Sequence, residues 1–224
     1  MHAEAVDFVD EAPESPPWVH EAIWLPNTDA GNAEFFTYLW ADDTRYDHMR
    51  NRWLVWASHR WRPDDDANVY RMALSTVRLR VRATGFGDGD DDRRKEVAKK
   101  AISSEARTRQ DALLALAKTM VPIADTGRGW DEKPGLIGTE NGVVDLRTGE
   151  LRDGVPDDRI TMSTGIAYDS AAECPTWLQF LGEVLEDPED TIPYLQRLIG
   201  YSLTGEATLH LLIFMMGTGR NGKG

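Results

Sequence analysis

The sequence contains a single cysteine, Cys174, and only five histidines. One cysteine cannot form a disulfide within the chain, and no two histidines stand at the spacing of a zinc-ligand pair. No run of about eighteen apolar residues is present, and residues 1–14 carry acidic side chains but no lysine or arginine. These absences argue against a disulfide-rich secreted protein, a structural metal site and a membrane protein. We therefore expect a cytoplasmic protein.

Positive charge is also scarce, since 25 Lys and Arg stand against 38 Asp and Glu and leave a net charge of −13. The imbalance is uneven along the chain. Residues 45–109 hold 16 of the basic residues and 10 of the acidic ones, a local charge of +6. A weakly basic middle in an acidic protein is compatible with a surface that faces DNA, but it does not demonstrate one.

The strongest motif lies at residues 209–224. The apolar stretch Leu209–Met216 predicts a strand that is buried on both faces of a parallel sheet. The next residues match seven of the eight positions of the phosphate-binding loop G-x-x-x-x-G-K-[ST]; they are Gly217, Thr218, Gly219, Arg220, Asn221, Gly222, Lys223 and Gly224. The alternative interpretation is a glycine-rich tail behind a core strand.

The residue types of this loop suit ATP. Its glycines let the backbone turn tightly and bring N–H groups against the phosphates, and Lys223 reaches the β and γ phosphates. Gly224 stands where a serine or threonine ligates Mg²⁺. Magnesium binding therefore depends on a hydroxyl supplied from beyond this position.

In nucleotide-hydrolysing folds this loop joins the first strand of the sheet to its first helix, and the acidic residues lie on later strands. We therefore expect a fragment that ends as its ATPase domain begins, with no catalytic residue of its own. ATP and Mg²⁺ are then cofactors of the complete protein alone. The expected organisation is an acidic tail at 1–19, an N-terminal domain over 20–205 with a β segment at about 130–170, and the start of the P-loop domain at 206–224.

Hydrophobic patterns predict a mainly helical α+β fold before the loop. Helices are predicted over 32–40, around Tyr70–Val81, over 93–120 with a break near Ser103–Ser104, and twice after Pro175, the second capped by Asp190–Thr191. A hairpin is predicted at Trp53–Trp61, a loop at Gly85–Asp92, and short strands around turns at Asn141–Gly142 and Thr148–Gly149. Residues 78–82 alternate as a strand does, but the longer pattern favours helix.

Arginines of the helix predicted around Tyr70–Val81 are candidate contacts to DNA phosphate. Arg71, Arg78 and Arg82 fall on one face, and Arg80 of the same basic stretch is a further candidate. The alternative is a solvated face among many acidic residues.

The hairpin tryptophans can stack single-stranded bases, although their spacing favours a place in the core. Cys174 is expected to be a small buried side chain.

Several segments together carry a resemblance: Asn141–Leu151, Cys174–Trp177 with Phe180–Leu181, Tyr194–Gly205, and the loop with Asn221–Lys223. They resemble the phage and plasmid primase family with a superfamily 3 helicase domain. Thr28–Ala33 and the tryptophans of the hairpin resemble the start of its helicase N-terminal region.

The resemblance implies an ATP-driven DNA helicase, hexameric and often fused to a primase, that acts in phage, plasmid or integrated-element replication. It also implies that Gly217–Lys223 bind ATP, and that the second acidic motif, the sensor residue and the arginine finger lie beyond Gly224. A second function class stays open, a DNA-binding or assembly module without NTP hydrolysis.

Overall fold

The computed structural model describes residues 16–84, 86, 91–206, 208–214 and 216. The chain divides into two compact units. Unit 1 comprises the described residues within Met1–Val55 and Pro63–Gly127, and unit 2 those within Trp56–Arg62 and Arg128–Gly224. The described residues form seven α-helices and two small sheets, which confirms the expected α+β class.

Unit 1 contains five helices, which are α1 (Pro17–Trp24), α2 (Asp29–Trp40), α3 (Asn68–Ala83), α4 (Asp91–Ser103) and α5 (Arg107–Ala117). The helix predicted over 32–40 is confirmed as α2, although it begins at Asp29. Its start is set by Thr28, whose hydroxyl oxygen accepts a hydrogen bond from the Gly31 amide at 3.1 Å. This N-cap satisfies an amide that has no partner inside the helix.

Helix α3 includes the ambiguous residues 78–82, so the preference for helix over strand is confirmed. Val69, Ala73 and Val77 recur at every fourth position and are all buried. In a helix this spacing places one apolar stripe against the core.

The predicted break in the following helix is confirmed, because α4 ends at Ser103 and α5 begins at Arg107. The predicted loop at Gly85–Asp92 is partly wrong. Asp91 and Asp92 belong to α4, whose first turn therefore begins inside the predicted loop. Residues 85 and 87–90 of that loop lie outside the described part of the chain.

The first sheet has the strand order β3-β2-β1-β4 and consists of β1 (Thr44–Asp47), β2 (Arg52–Ala57), β3 (Arg60–Pro63) and β4 (Ala124–Asp125). Strand β1 runs antiparallel to β2 and parallel to β4. The predicted hairpin is confirmed as β2 and β3, and its tip, residues 56–62, belongs to unit 2. The core of unit 1 joins Phe36 of α2, Val55 of β2 and Leu113 of α5.

Unit 2 contains a second, antiparallel sheet of β5 (Leu136–Thr139), β6 (Gly142–Asp145) and β7 (Glu150–Arg152). The turns predicted at Asn141–Gly142 and Thr148–Gly149 are therefore confirmed as the connections between these strands. Gly149 has a φ of +74°, a conformation that glycine adopts without steric cost. Val143, Ile160, Trp61 and Trp130 are buried in this unit.

Two helices follow, α6 (Pro175–Val184) and α7 (Pro188–Leu203). The predicted cap at Asp190–Thr191 is wrong, because α7 begins at Pro188 and these residues lie inside its first turn. A proline at N1 lacks only an amide that has no helical partner. Gly205, with a φ of +70°, follows the end of α7 as predicted.

The strand predicted at Leu209–Met216 is not formed by the described residues 208–214 and 216. Leu212 and Phe214 are 80% and 75% exposed. A parallel strand needs a neighbour for its amide and carbonyl groups. No described strand pairs with this segment, so the P-loop domain expected at 206–224 is not shown.

Candidate nucleic-acid and nucleotide sites

The predicted nucleotide-binding residues, Gly217–Gly224, lie outside the described residues. Their binding of ATP and Mg²⁺ therefore stays a prediction. Among the residues that the structure does describe, no group of three or more His, Cys, Asp or Glu is placed to hold a metal ion.

The arginines predicted to contact DNA lie on the exposed side of α3. Arg71 Nη2 is 3.1 Å from Asp66 Oδ2, and Arg78 Nε is 3.2 Å from Glu105 Oε1. Arg82 is exposed and makes no ion pair with the described residues. Adjacent carboxylates thus balance two of the three charges, as the solvated-face alternative expects. Phosphate contact by this face stays a prediction.

Arg80 differs from these arginines, because it points into unit 1 and is 4% exposed. Its guanidinium donates to the carbonyl oxygens of Ala22 at 3.2 Å and Pro26 at 3.0 Å, and also to that of Leu25. A further bond, 2.8 Å long, reaches Asn32 Oδ1. Burial lowers the pKa of Arg80. The inclusion of Arg80 among the phosphate candidates was therefore wrong, since it joins α3 to the end of α1 and to α2.

A second basic and aromatic segment lies in unit 2, at the hairpin tip Trp-Ala-Ser-His-Arg-Trp-Arg, residues 56–62. Trp61 is 1% exposed and its indole Nε1 donates to Pro156 O at 3.0 Å, so its predicted place in the core is confirmed. Trp56 is partly buried and keeps some of its surface in solvent. The sequence signal for this segment is a basic and aromatic run of seven residues without a carboxylate, which differs from an arginine stripe at helical spacing.

A cleft of about 930 Å³ opens in unit 2 beside β5, and residues 203–206 and 208 form part of its lining. The Asp131 carboxylate in this cleft accepts hydrogen bonds from the Thr161 amide at 2.6 Å and the Met162 amide at 3.0 Å. The Lys133 ammonium donates to Asp157 O at 2.5 Å. These charged groups hold the loops of unit 2 together, and they are not arranged as an acid–base pair.

The ion pair of Arg152 and Asp158 also stabilises unit 2. The two terminal guanidinium nitrogens, Nη1 and Nη2, each donate to one carboxylate oxygen at 2.7 Å, and the Val155 amide donates to Asp158 Oδ2 at 3.0 Å. Asp158 is 4% exposed. The hydrogen bonds from Arg152, with a smaller contribution from Val155, hold the pKa of Asp158 below its usual value.

We expect unit 2 to lose stability in acid through this pair. The pKa of Asp158 is lower in the folded state than in the unfolded state. The ionised carboxylate therefore stabilises the folded unit above the unfolded-state pKa of about 3.9, and this stabilisation is lost as the pH falls through the folded-state pKa. Asp158→Asn should cost about 1–3 kcal/mol at neutral pH and weaken the acid dependence. Urea unfolding at neutral and acidic pH measures both, with the exposed neighbour Asp157→Asn as the control. An unchanged acid profile in Asp158→Asn would contradict this expectation.

The predicted burial of Cys174 is wrong, because its side chain is exposed. It lies at the N-cap position of α6, outside any core.

No described helix is long and apolar enough to cross a lipid bilayer.

The comparisons with known proteins agree with part of the resemblance seen in the sequence. Residues 33–186 match the family described as "D5 N terminal like". An alignment over 188 residues is 27% identical to "Putative helicase L207/L206" of Acanthamoeba polyphaga mimivirus and covers 76% of this chain. It covers 20% of that viral protein, so the chain spans about a fifth of its relative's length. The family match extends from α2 through both sheets to the end of α6, more than half of the chain. The chain therefore belongs to the D5 N terminal like family.

Proposed function

We propose that the chain is the N-terminal part of an ATP-dependent DNA helicase or helicase–primase, whose superfamily 3 ATPase domain begins at residues 206–224. The observation that carries the proposal is the G-x-x-x-x-G-K loop at Gly217–Lys223, in a chain of the D5 N terminal like family. The printed name of the viral relative, a helicase, supports the same function. The proposed setting is phage, plasmid or integrated-element replication.

In this proposal ATP and Mg²⁺ are the cofactors, and DNA and further copies of the chain, as a hexamer, are the partners. The loop's backbone N–H groups surround the phosphates, and the Lys223 ammonium neutralises charge on the β and γ groups. The donor types present fit a triphosphate. Gly224 offers no hydroxyl to Mg²⁺, so the metal needs a ligand from another residue of the complete protein.

We expect Lys223→Ala to weaken ATP binding by the complete protein at least about tenfold, because a hydrogen bond to a charged group is worth about 1.5–3 kcal/mol. Titration with a fluorescent ATP analogue measures the effect. Binding reports on the loop directly, whereas turnover also depends on the acidic and arginine motifs of the ATPase domain. Lys99→Ala removes an exposed lysine of α4 and is the matched control. Equal affinities for the two variants would contradict the loop assignment.

A second candidate function, a DNA-binding or assembly module without NTP hydrolysis, is favoured by the apolar surface of α6 and α7. Trp177, Tyr194 and Ile199 are each about half exposed, at 48%, 50% and 48%. The coding sequence that follows Gly224 separates the two functions. A helix, a strand ending in acidic residues and a later arginine support the helicase, whereas an in-frame stop supports the module.

A further inference from the structure

The chain turns back on itself directly after α7. Gly205, with a φ of +70°, follows the helix, and the Glu206 amide donates to the Thr204 hydroxyl oxygen at 3.2 Å. Eight residues of continued helix would carry the chain about 12 Å beyond Tyr201. The Leu209 amide nitrogen instead lies 2.8 Å from Tyr201 Oη. The segment that follows α7 therefore returns to the last turn of that helix.

The Tyr201 hydroxyl makes the contact that holds this return. It accepts the bond from the Leu209 amide, and it lies 3.4 Å from Thr208 Oγ1, where either hydroxyl can donate. A phenol has one donor hydrogen and also accepts, so both contacts form together. Tyr194 lies two turns earlier in α7, and its hydroxyl makes no hydrogen bond with the described residues. Of the two tyrosines in this helix, Tyr201 alone holds the outgoing segment.

A second bond joins the end of α7 to the sheet of unit 2. The Gly135 amide, directly before β5, donates to Thr204 O at 3.1 Å. The Thr204 hydroxyl in turn donates to Tyr201 O at 2.7 Å. Leu209 is thus linked through Tyr201 to the same helix end that the start of β5 holds.

We propose that Tyr201 is a positioning residue of the helicase, and that its hydroxyl fixes the segment that leads to the phosphate loop against α7. The inference rests on the proposed function, because it takes Gly217–Lys223 as the ATP site. Eight residue steps separate Leu209 from Gly217, and they span at most about 28 Å when the chain is fully extended. A fixed Leu209 therefore limits where the loop can lie relative to α7.

This contact also gives a movement of the loop a path into unit 2. Coupling between distant sites is carried by hydrogen bonds and rigid elements that connect them. The described contacts run from Leu209 to Tyr201 and from the end of α7 to the start of β5. Loss of the Tyr201 hydroxyl should therefore lower the amount of DNA that is unwound for each ATP hydrolysed.

The test compares Tyr201→Phe with its matched control, Tyr194→Phe, in the complete protein. Each variant loses one hydroxyl from α7 and keeps the aromatic ring. A forked fluorescent duplex measures unwinding, and phosphate release measures ATP hydrolysis. We expect Tyr201→Phe to lower unwinding per ATP about threefold, which is within the range that one hydrogen bond between neutral groups supplies. Tyr194→Phe should match the wild type.

Amide exchange at Leu209 reports on the contact itself and should become faster in Tyr201→Phe alone. The unfolding midpoint in urea should be the same for both variants, so a stability loss confined to Tyr201→Phe would argue for a merely structural role. Equal unwinding per ATP in the two variants, or unchanged exchange at Leu209, would overturn the inference and leave the proposed function standing. A wild-type protein that neither binds ATP nor unwinds DNA would reject both.

Discussion

Arg80→Leu is expected to lower the free energy of unfolding of unit 1 by about 3–5 kcal/mol. Leucine occupies part of the same volume but offers no donor to the buried oxygens around the α1–α2 connection. Pro26 O and Asn32 Oδ1 then lose partners that now lie 3.0 and 2.8 Å away. Denaturant unfolding combined with amide exchange in α1 and α2 measures the loss.

The matched control is Arg78→Leu on the same helix. Arg78 is exposed and pairs with Glu105, so its replacement should cost about 1 kcal/mol or less. Arg80→Lys keeps a charge but provides fewer donors, and its cost should be intermediate. Equal destabilisation by Arg78→Leu and Arg80→Leu would show that the buried hydrogen bonds contribute little.

Trp61→Ala is expected to destabilise unit 2 by about 3–5 kcal/mol, because it removes a ring that is 1% exposed and leaves a cavity beside Trp56 and Trp130. Amide exchange in β5 and β6, together with the unfolding midpoint in urea, reports the effect. Trp61→Phe keeps an aromatic ring and loses the bond to Pro156 O, so its cost should be smaller.

Trp24→Ala is the control for this experiment, since the Trp24 side chain is 73% exposed and its removal should change stability by about 0.5 kcal/mol or less. Native-like exchange in β5 and β6 of Trp61→Ala would contradict the central place of Trp61 in unit 2.

Local sequence signals determined most of the elements. The hydroxyl of Thr28 caps the start of α2. The buried stripe of α3 follows from the four-residue spacing of Val69, Ala73 and Val77. Gly149 occupies a turn in which φ is positive. Each of these signals acts between residues a few positions apart. For the same reason the sequence predicted α3 correctly even where residues 78–82 alternate like a strand.

The tertiary structure decided which of these residues are buried and which groups they meet. Arg78 and Arg80 stand about 200° apart around one helix, and Arg80 falls on the stripe of Val69, Ala73 and Val77. The helical period therefore turns Arg80 toward the core but does not show which groups its guanidinium meets there. The carbonyl partners of Arg80 lie between 54 and 58 residues earlier in the chain. The apolar pattern of Leu209–Met216 likewise predicts a strand, yet pairing requires a second strand that no described residues supply. Burial and strand pairing depend on contacts between distant segments, and a local pattern contains no information about those partners.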